Sequence, residues 1–239
     1  MARALVIANE GDDDPGLVGA HLSVRGYGLT TVIREHDAPW PSADVVDLVV
    51  LLGSEWSVYW DTVEEPVERE CSFVADAVEG GVPVLAICFG AQLLAAALGG
   101  VVTPADHHEL GWLEVEVVSE SPLRRSLIES GPWFQWHGDT FSLPHGAELV
   151  AQSGAGPQAF RVGSALGVQF HPEVTPAIVA RWAASDPAPL ARAGLDAEWI
   201  VDRTTQEQPR VRRATARLVD HFLYGEPTTG GRDDRDHRL

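Results

Sequence analysis

Apolar residues in the first hundred positions gather into short runs rich in valine, isoleucine and leucine: RALVIAN, LTTVI, DLVVLLG and VPVLAIC. Runs of this length with little polar interruption are the pattern of strands buried on both faces of a sheet. Between them lie segments of helical pattern, GLVGAHLSVRGY and EPVERECSFVADAVEGG. Strands alternating with helices imply βαβ units. The first part of the chain, to about residue 100, therefore reads as α/β, a mostly parallel doubly wound sheet with helices on both faces.

The texture changes at Gly100. GVVTPA, GWLEVEVV, AELVAQS, AFRVG and LGVQFHP read as additional antiparallel or mixed strands joined by turns containing Gly, Pro and Ser. After HPEVTP, the run AIVARWAAS begins a helix with Pro176 in its first turn. A polar segment then leads to a final amphipathic helix over QPRVRRATARLVDHFLYG. There is no internal repeat. The stretch from Gly225 to Leu239, GEPTTGGRDDRDHRL, is poor in apolar residues and rich in charge, so residues 225–239 are expected to be a disordered tail after one domain over residues 1–224.

Composition narrows the partners. A chain of 239 residues, 45% hydrophobic, suits one compact domain or two small ones. No apolar stretch reaches the ~18 to 20 residues that span a bilayer, and MARALVIANE lacks the apolar core of a signal peptide, so a cytoplasmic chain with no membrane partner is expected. The formal net charge of −18 argues against nucleic acid as a partner. All 17 basic residues are arginines, which excludes Schiff-base chemistry and a P-loop lysine. Cys71 and Cys88 are too few for a disulfide framework. Cys71 falls in a helical pattern and reads as a core residue.

Cys88 stands where VPVLAIC meets FGAQLLAAALGG. A buried strand followed at once by a strong helix leaves no loop, so the chain must turn sharply at Cys88 and Phe89. Two readings follow: a core cysteine closing a strand, or a nucleophile elbow whose thiol sits at the tip of a strained turn. As a nucleophile the cysteine needs a base and a positive environment. Among nine histidines, His171 ends the apolar run LGVQFHP, at the sheet edge where an elbow would lie. Glu173 follows two residues later and can orient the imidazole. His107, His108 and Glu109 invite a metal reading, but adjacent histidines on a strand point in opposite directions and no third ligand is spaced to match, so no metal is expected.

CFGAQ (Cys88 to Gln92), WHGDTFSLP (Trp136 to Pro144) and GVQFHPE (Gly167 to Glu173) resemble the signature segments of the class I glutamine amidotransferases. That triad family includes the amidotransferase domain of GMP synthetase. LLGSEWSVYWD and ELGWLEVEV are similar to its oxyanion loop and to its hairpin after the elbow helix. The resemblance implies the flavodoxin-like fold of that family, no cofactor, and a Cys-His-Glu triad of Cys88, His171 and Glu173. Cys88 would attack the side-chain amide carbon of L-glutamine, and His171 would carry the thiol proton to the departing ammonia. It implies Phe89 N–H as one oxyanion donor. The second lies where the family carries Gly-Gly-Pro and this chain has Gly53, Ser54 and Glu55; the register favours Ser54, with Gly53 as the alternative. Gln92 is similar to a glutamine that contacts substrate. Backbone near Trp136 and His137 would receive the substrate α-carboxylate, with His137 and Asp139 supporting the loop.

Three functions fit these residues. The first is a glutaminase that supplies ammonia to a separate synthase subunit. The second is a self-sufficient hydrolase of γ-glutamyl compounds, its larger leaving group held by Trp56, Tyr59, Trp60, Trp112 and Trp133. The third is an idle binding domain, against which the three filled triad positions argue.

Overall fold

The computed structural model describes residues 1–120, 123 and 131–225. The strands are β1 (Ala2–Ala8), β2 (Tyr27–Ile33), β3 (Leu48–Leu51), β4 (Val84–Ile87), β5 (Val102–Leu113), β6 (Glu116–Val117), β7 (Trp133–Phe141), β8 (Glu148–Ser153), β9 (Gly156–Val162) and β10 (Ala165–Val168). Eight form one sheet in the order β2-β1-β3-β4-β10-β9-β8-β6, and β5 pairs with β7 in a separate ribbon. The first five strands of that order are parallel, and β9, β8 and β6 continue the sheet antiparallel. This is the doubly wound α/β sheet expected from the apolar runs.

The helices are α1 (Gly16–Val24), α2 (Glu64–Glu79), α3 (Phe89–Ala97), α4 (Pro176–Ser185), α5 (Ala188–Ala193) and α6 (Ala197–Tyr224). Alternate residues of each central strand feed two cores. Val6, Val50, Leu85 and Val168 pack with Leu22 of α1 and Leu218 of α6. Leu5, Val49, Val84 and Ala165 pack with Val74 of α2 and Leu94 of α3 on the opposite face. A third cluster, Phe134, Val174, Ile178 and Ile200, ties β7 to α4 and α6.

Two expectations are corrected. GVVTPA and the start of GWLEVEVV do not form separate strands: β5 runs continuously through Val102–Leu113, its pairing with β7 shifting between Pro104 and Glu109, and the rest of GWLEVEVV holds the short β6. The last helix starts at Ala197 rather than near Gln208, because Asp196 accepts hydrogen bonds from Glu198 N–H (2.8 Å) and Trp199 N–H (3.0 Å) and caps it there. Pro209 lies inside α6, where loss of one N–H is tolerated because Val211, Ala214 and Leu218 bury its apolar face. Beyond Gly225 the expected disordered tail lies outside the described residues.

Candidate active site

β4 runs directly into α3 at Cys88, whose φ of 53° and ψ of −110° make it the one positive-φ residue other than glycine among those described. Such a conformation costs on the order of 1–3 kcal/mol and persists only where surrounding structure imposes it. Here Cys88 N–H is held by Val168 C=O of β10 at 2.8 Å, and Cys88 C=O accepts from Ala91 and Gln92 N–H in the first turn of α3. Gly90 permits the close approach of that turn to β3: a Cβ at this position would sit 2.6 Å from both Cβ and the carbonyl oxygen of Leu51. The alternative of a relaxed core cysteine does not account for the strained backbone. Cys71 is a different case, half-buried in α2 with its thiol pushed up to about 12 by burial and by the nearby charges of Glu70 and Glu68.

β10 leads on to Gln169, His171 and Glu173, all buried. His171 N–H donates to Phe134 C=O of β7 at 2.8 Å, and Thr215 Oγ1 donates to Pro172 C=O at 2.6 Å. The carbonyl of Glu173 accepts from Leu17 N–H at 2.8 Å, so the start of α1 grips the same segment. His171 Nδ1 pairs with Glu173 Oε1 at 2.7 Å, leaving Nε2 as the atom available to Cys88. Burial is the largest influence on His171 and pushes its pKa down. Attraction to Glu173 and to Cys88, with the hydrogen bond to Glu173, overcomes it and holds the pKa well above the ordinary value. Trp182 of α4 packs on the imidazole at a centroid distance of 4.8 Å, and its indole N–H donates to Asp12 at 2.9 and 3.0 Å.

The loop after β3 meets this pair at Gly53. A Cβ on Gly53 would lie 3.1 Å from His171 Cε1 and 3.6 Å from Cys88 Cβ. Ser54 turns its side chain back to accept from Trp56 N–H at 3.0 Å. Phe89, the other expected oxyanion donor, opens α3 ahead of the first bonded N–H groups, those of Ala91 and Gln92, so its own N–H has no intrahelical acceptor. Beneath the loop lies Arg34, fully buried, which donates to the carbonyls of Ile7, Leu52 and Gly53, to Asn9 and to Glu70, with its guanidinium 5.0 Å from the Phe89 ring centroid. Ser57 and Tyr59 donate to Asp139 at 2.6 and 2.9 Å and fasten the loop to β7.

The remaining expected residues fall as follows. Trp136 places its carbonyl oxygen 3.9 Å from Cys88 Sγ. His137 bonds to Glu109 (3.1 Å) and to the Asp139 carbonyl (3.1 Å), bracing the ribbon. Gln92 is buried and donates to Gln169 Oε1 at 3.2 Å. His107 and His108 diverge, toward Gly154 and Gly138 respectively. Trp133 is a correction: it is fully buried, stacked on Phe170 at 4.5 Å, and fills the core rather than lining a pocket. Trp112 bonds to Thr204 and packs on Phe134, whereas Tyr59 and Trp60 are exposed on the loop after β3. Sequence reasoning passed over Arg34, Gln169 and Trp182. Two of them carried a signal, a charge directly after the apolar run LTTVI and an amide within LGVQF.

Fold and strained cysteine together define the class, an α/β protein with a sharp strand-to-helix turn, a cysteine at its tip, at the carboxyl edge of its parallel strands. The sequence model described as glutamine amidotransferase class-I matches residues 22–179, and the chain belongs to that family. The glutamine-hydrolyzing GMP synthase of Thermomicrobium roseum is 41% identical over 128 residues, 53% of this chain and 23% of that protein. The corresponding enzyme of Phenylobacterium zucineum is 40% identical over 163 residues, 65% of this chain and 29% of that protein. The chain thus spans about a quarter of the length of these relatives. A crystal structure of a glutamine amidotransferase from Thermotoga maritima superposes with a TM-score of 0.82 at 27% identity, covering 93% of this chain and 98% of that one. One from Methylobacillus flagellatus shares the fold, with a TM-score of 0.81 at 24% identity over 100% of this chain and 98% of that one. No helix among the described residues is long and apolar enough to cross a membrane.

Proposed function

We propose that this chain is a glutaminase that forms a glutamyl thioester on Cys88 and supplies ammonia to a separate synthase subunit. The observation that carries the reading is the strained Cys88 beside a His171 whose other ring nitrogen is held 2.7 Å from Glu173. The Cys88 thiolate attacks the side-chain amide carbon of glutamine, forming the C–S bond, and the carbonyl electron pair moves onto oxygen. Phe89 N–H and the backbone N–H of Ser54 or Gly53 receive that charge. Each donor of this kind is worth roughly 3 to 4 kcal/mol of barrier. His171 then protonates the amide nitrogen as the C–N bond breaks and ammonia leaves. Water, deprotonated by His171, attacks the thioester; glutamate departs and the thiolate is restored. The backbone near Trp136 and His137 receives the substrate α-carboxylate. Residues 1–224 act as one cytoplasmic catalytic domain on this reading.

Family membership and relatives named for glutamine hydrolysis support this reading. A second reading, a stand-alone γ-glutamyl hydrolase, is favoured by exposed Tyr59 and Trp60 on the loop that adjoins the site, where a larger leaving group would rest. Glutamate release by the purified chain from L-glutamine and from a panel of γ-glutamyl amides separates the two. Preference for glutamine supports the amidotransferase; preference for a substituted amide supports the hydrolase; release undiminished in Cys88→Ala overturns both.

A further inference from the structure

Few polar groups approach the Cys88 sulfur, and they do not act alike. The Trp136 carbonyl, 3.9 Å away, is an acceptor and favours the protonated thiol. Gln169 Nε2, 3.5 Å away, is a donor and favours the thiolate. An amide can be turned either way, so its orientation decides its effect. Gln92 donates from Nε2 to Gln169 Oε1 at 3.2 Å, an arrangement in which the Gln169 NH2 group faces the sulfur. Both side chains are buried, at 3% and 1% exposure, so water does not compete for these bonds. Their backbones are fixed as well: Gln92 N–H bonds to Cys88 C=O at 3.1 Å, and Gln169 N–H to Gln158 C=O at 2.9 Å.

We propose that Gln169 is the hydrogen-bond donor that favours the thiolate form of Cys88, and that Gln92 is a positioning residue that holds the Gln169 amide in its donating orientation. This rests on the reading of Cys88 as the nucleophile. It also gives Gln92 a task other than substrate contact. The ionisable groups packed around the elbow are His171 with Glu173 after β10, Arg34 with Glu70 behind Phe89, His137 with Glu109 on the ribbon, and Glu55 on the exposed loop. Neutral substitutions of the two glutamines leave all of them in place.

The test is the pH profile of Cys88 alkylation by iodoacetamide in the full chain, read at that residue by peptide mass spectrometry. The Cys71 thiol, pushed up to about 12, stays protonated over the useful range. Gln169→Leu is expected to raise the midpoint, because the thiolate loses its hydrogen-bond donor. Gln92→Leu is expected to raise it in the same direction, and the double variant to add nothing beyond Gln169→Leu. An unmoved midpoint in Gln169→Leu overturns the donor role. A shift in Gln169→Leu with none in Gln92→Leu overturns the positioning role. Gln169→Met serves in the same way if the leucine variant does not fold. Wild-type chain that hydrolyses glutamine while every midpoint stays put sinks this inference alone, whereas wild type that releases no glutamate sinks the proposed function.

Discussion

The guanidinium of Arg34 donates 3.2 Å hydrogen bonds to the carbonyl oxygens of Gly53 and Leu52. A fully buried charge is thereby committed to the shape of the loop that meets Cys88 and His171. Its countercharge, Glu70, is buried as well, and burial raises the Glu70 pKa against the pull of Arg34. Arg34→Met should therefore destabilise the fold by about 3 to 5 kcal/mol, because it strands a buried carboxylate. Pairing it with Glu70→Leu should recover much of that loss in urea unfolding. A single variant as stable as wild type would show that the pair carries no such role.

On the proposed mechanism, in which thiolate attack and proton delivery act as one unit, Cys88→Ala and His171→Ala should each cut glutamate release at least about a thousand-fold. Glu173→Ala should retain a measurable residual rate, since the glutamate orients the base and does not react. Equal losses in all three variants would contradict that division of roles.

The folded-state pKa of His171 lies above its ordinary value of 6.5. Its charged form thus contributes stability that is fully present below about pH 6.5 and lost as pH rises through the folded-state value. The stability gap between wild type and His171→Gln, followed by urea unfolding from about pH 6 to about pH 10, should narrow as pH rises. A gap constant across that range would remove the linkage.

Gly16 has φ of +49°, and a Cβ there would stand 2.0 Å from the carbonyl oxygen of Glu173 and 2.8 Å from Ile178 Cδ1. Gly16→Ala should cost roughly 1–3 kcal/mol through overpacking. It should also lower kcat more than it changes KM, since the displaced atom belongs to the residue that orients His171. Unchanged kcat in a folded variant would show that the Glu173 segment is held independently of α1.

Much of this protein is legible from the chain alone. The runs RALVIAN, DLVVLLG and VPVLAIC become β1, β3 and β4, since a strand buried on both faces leaves its mark in consecutive apolar residues. The elbow is legible for a similar local reason, as VPVLAIC and FGAQLL leave no residue for a loop. His171 and Glu173, two positions apart, form the local pair at 2.7 Å that their spacing allows. What the sequence left undecided depends on residues distant along the chain. Trp133 reads like a pocket tryptophan until Phe170 is stacked on it. The partner of Gln92 stays hidden until Gln169, 77 positions away, accepts its hydrogen bond. Arg34 reads as the polar end of a strand until Glu70, Gly53 and Leu52 close around it. Local patterning reports which residues are buried and how the backbone turns. Which buried polar groups meet, and so what chemistry they perform, is settled only when β3, β4, β7 and β10 come to one edge of the sheet.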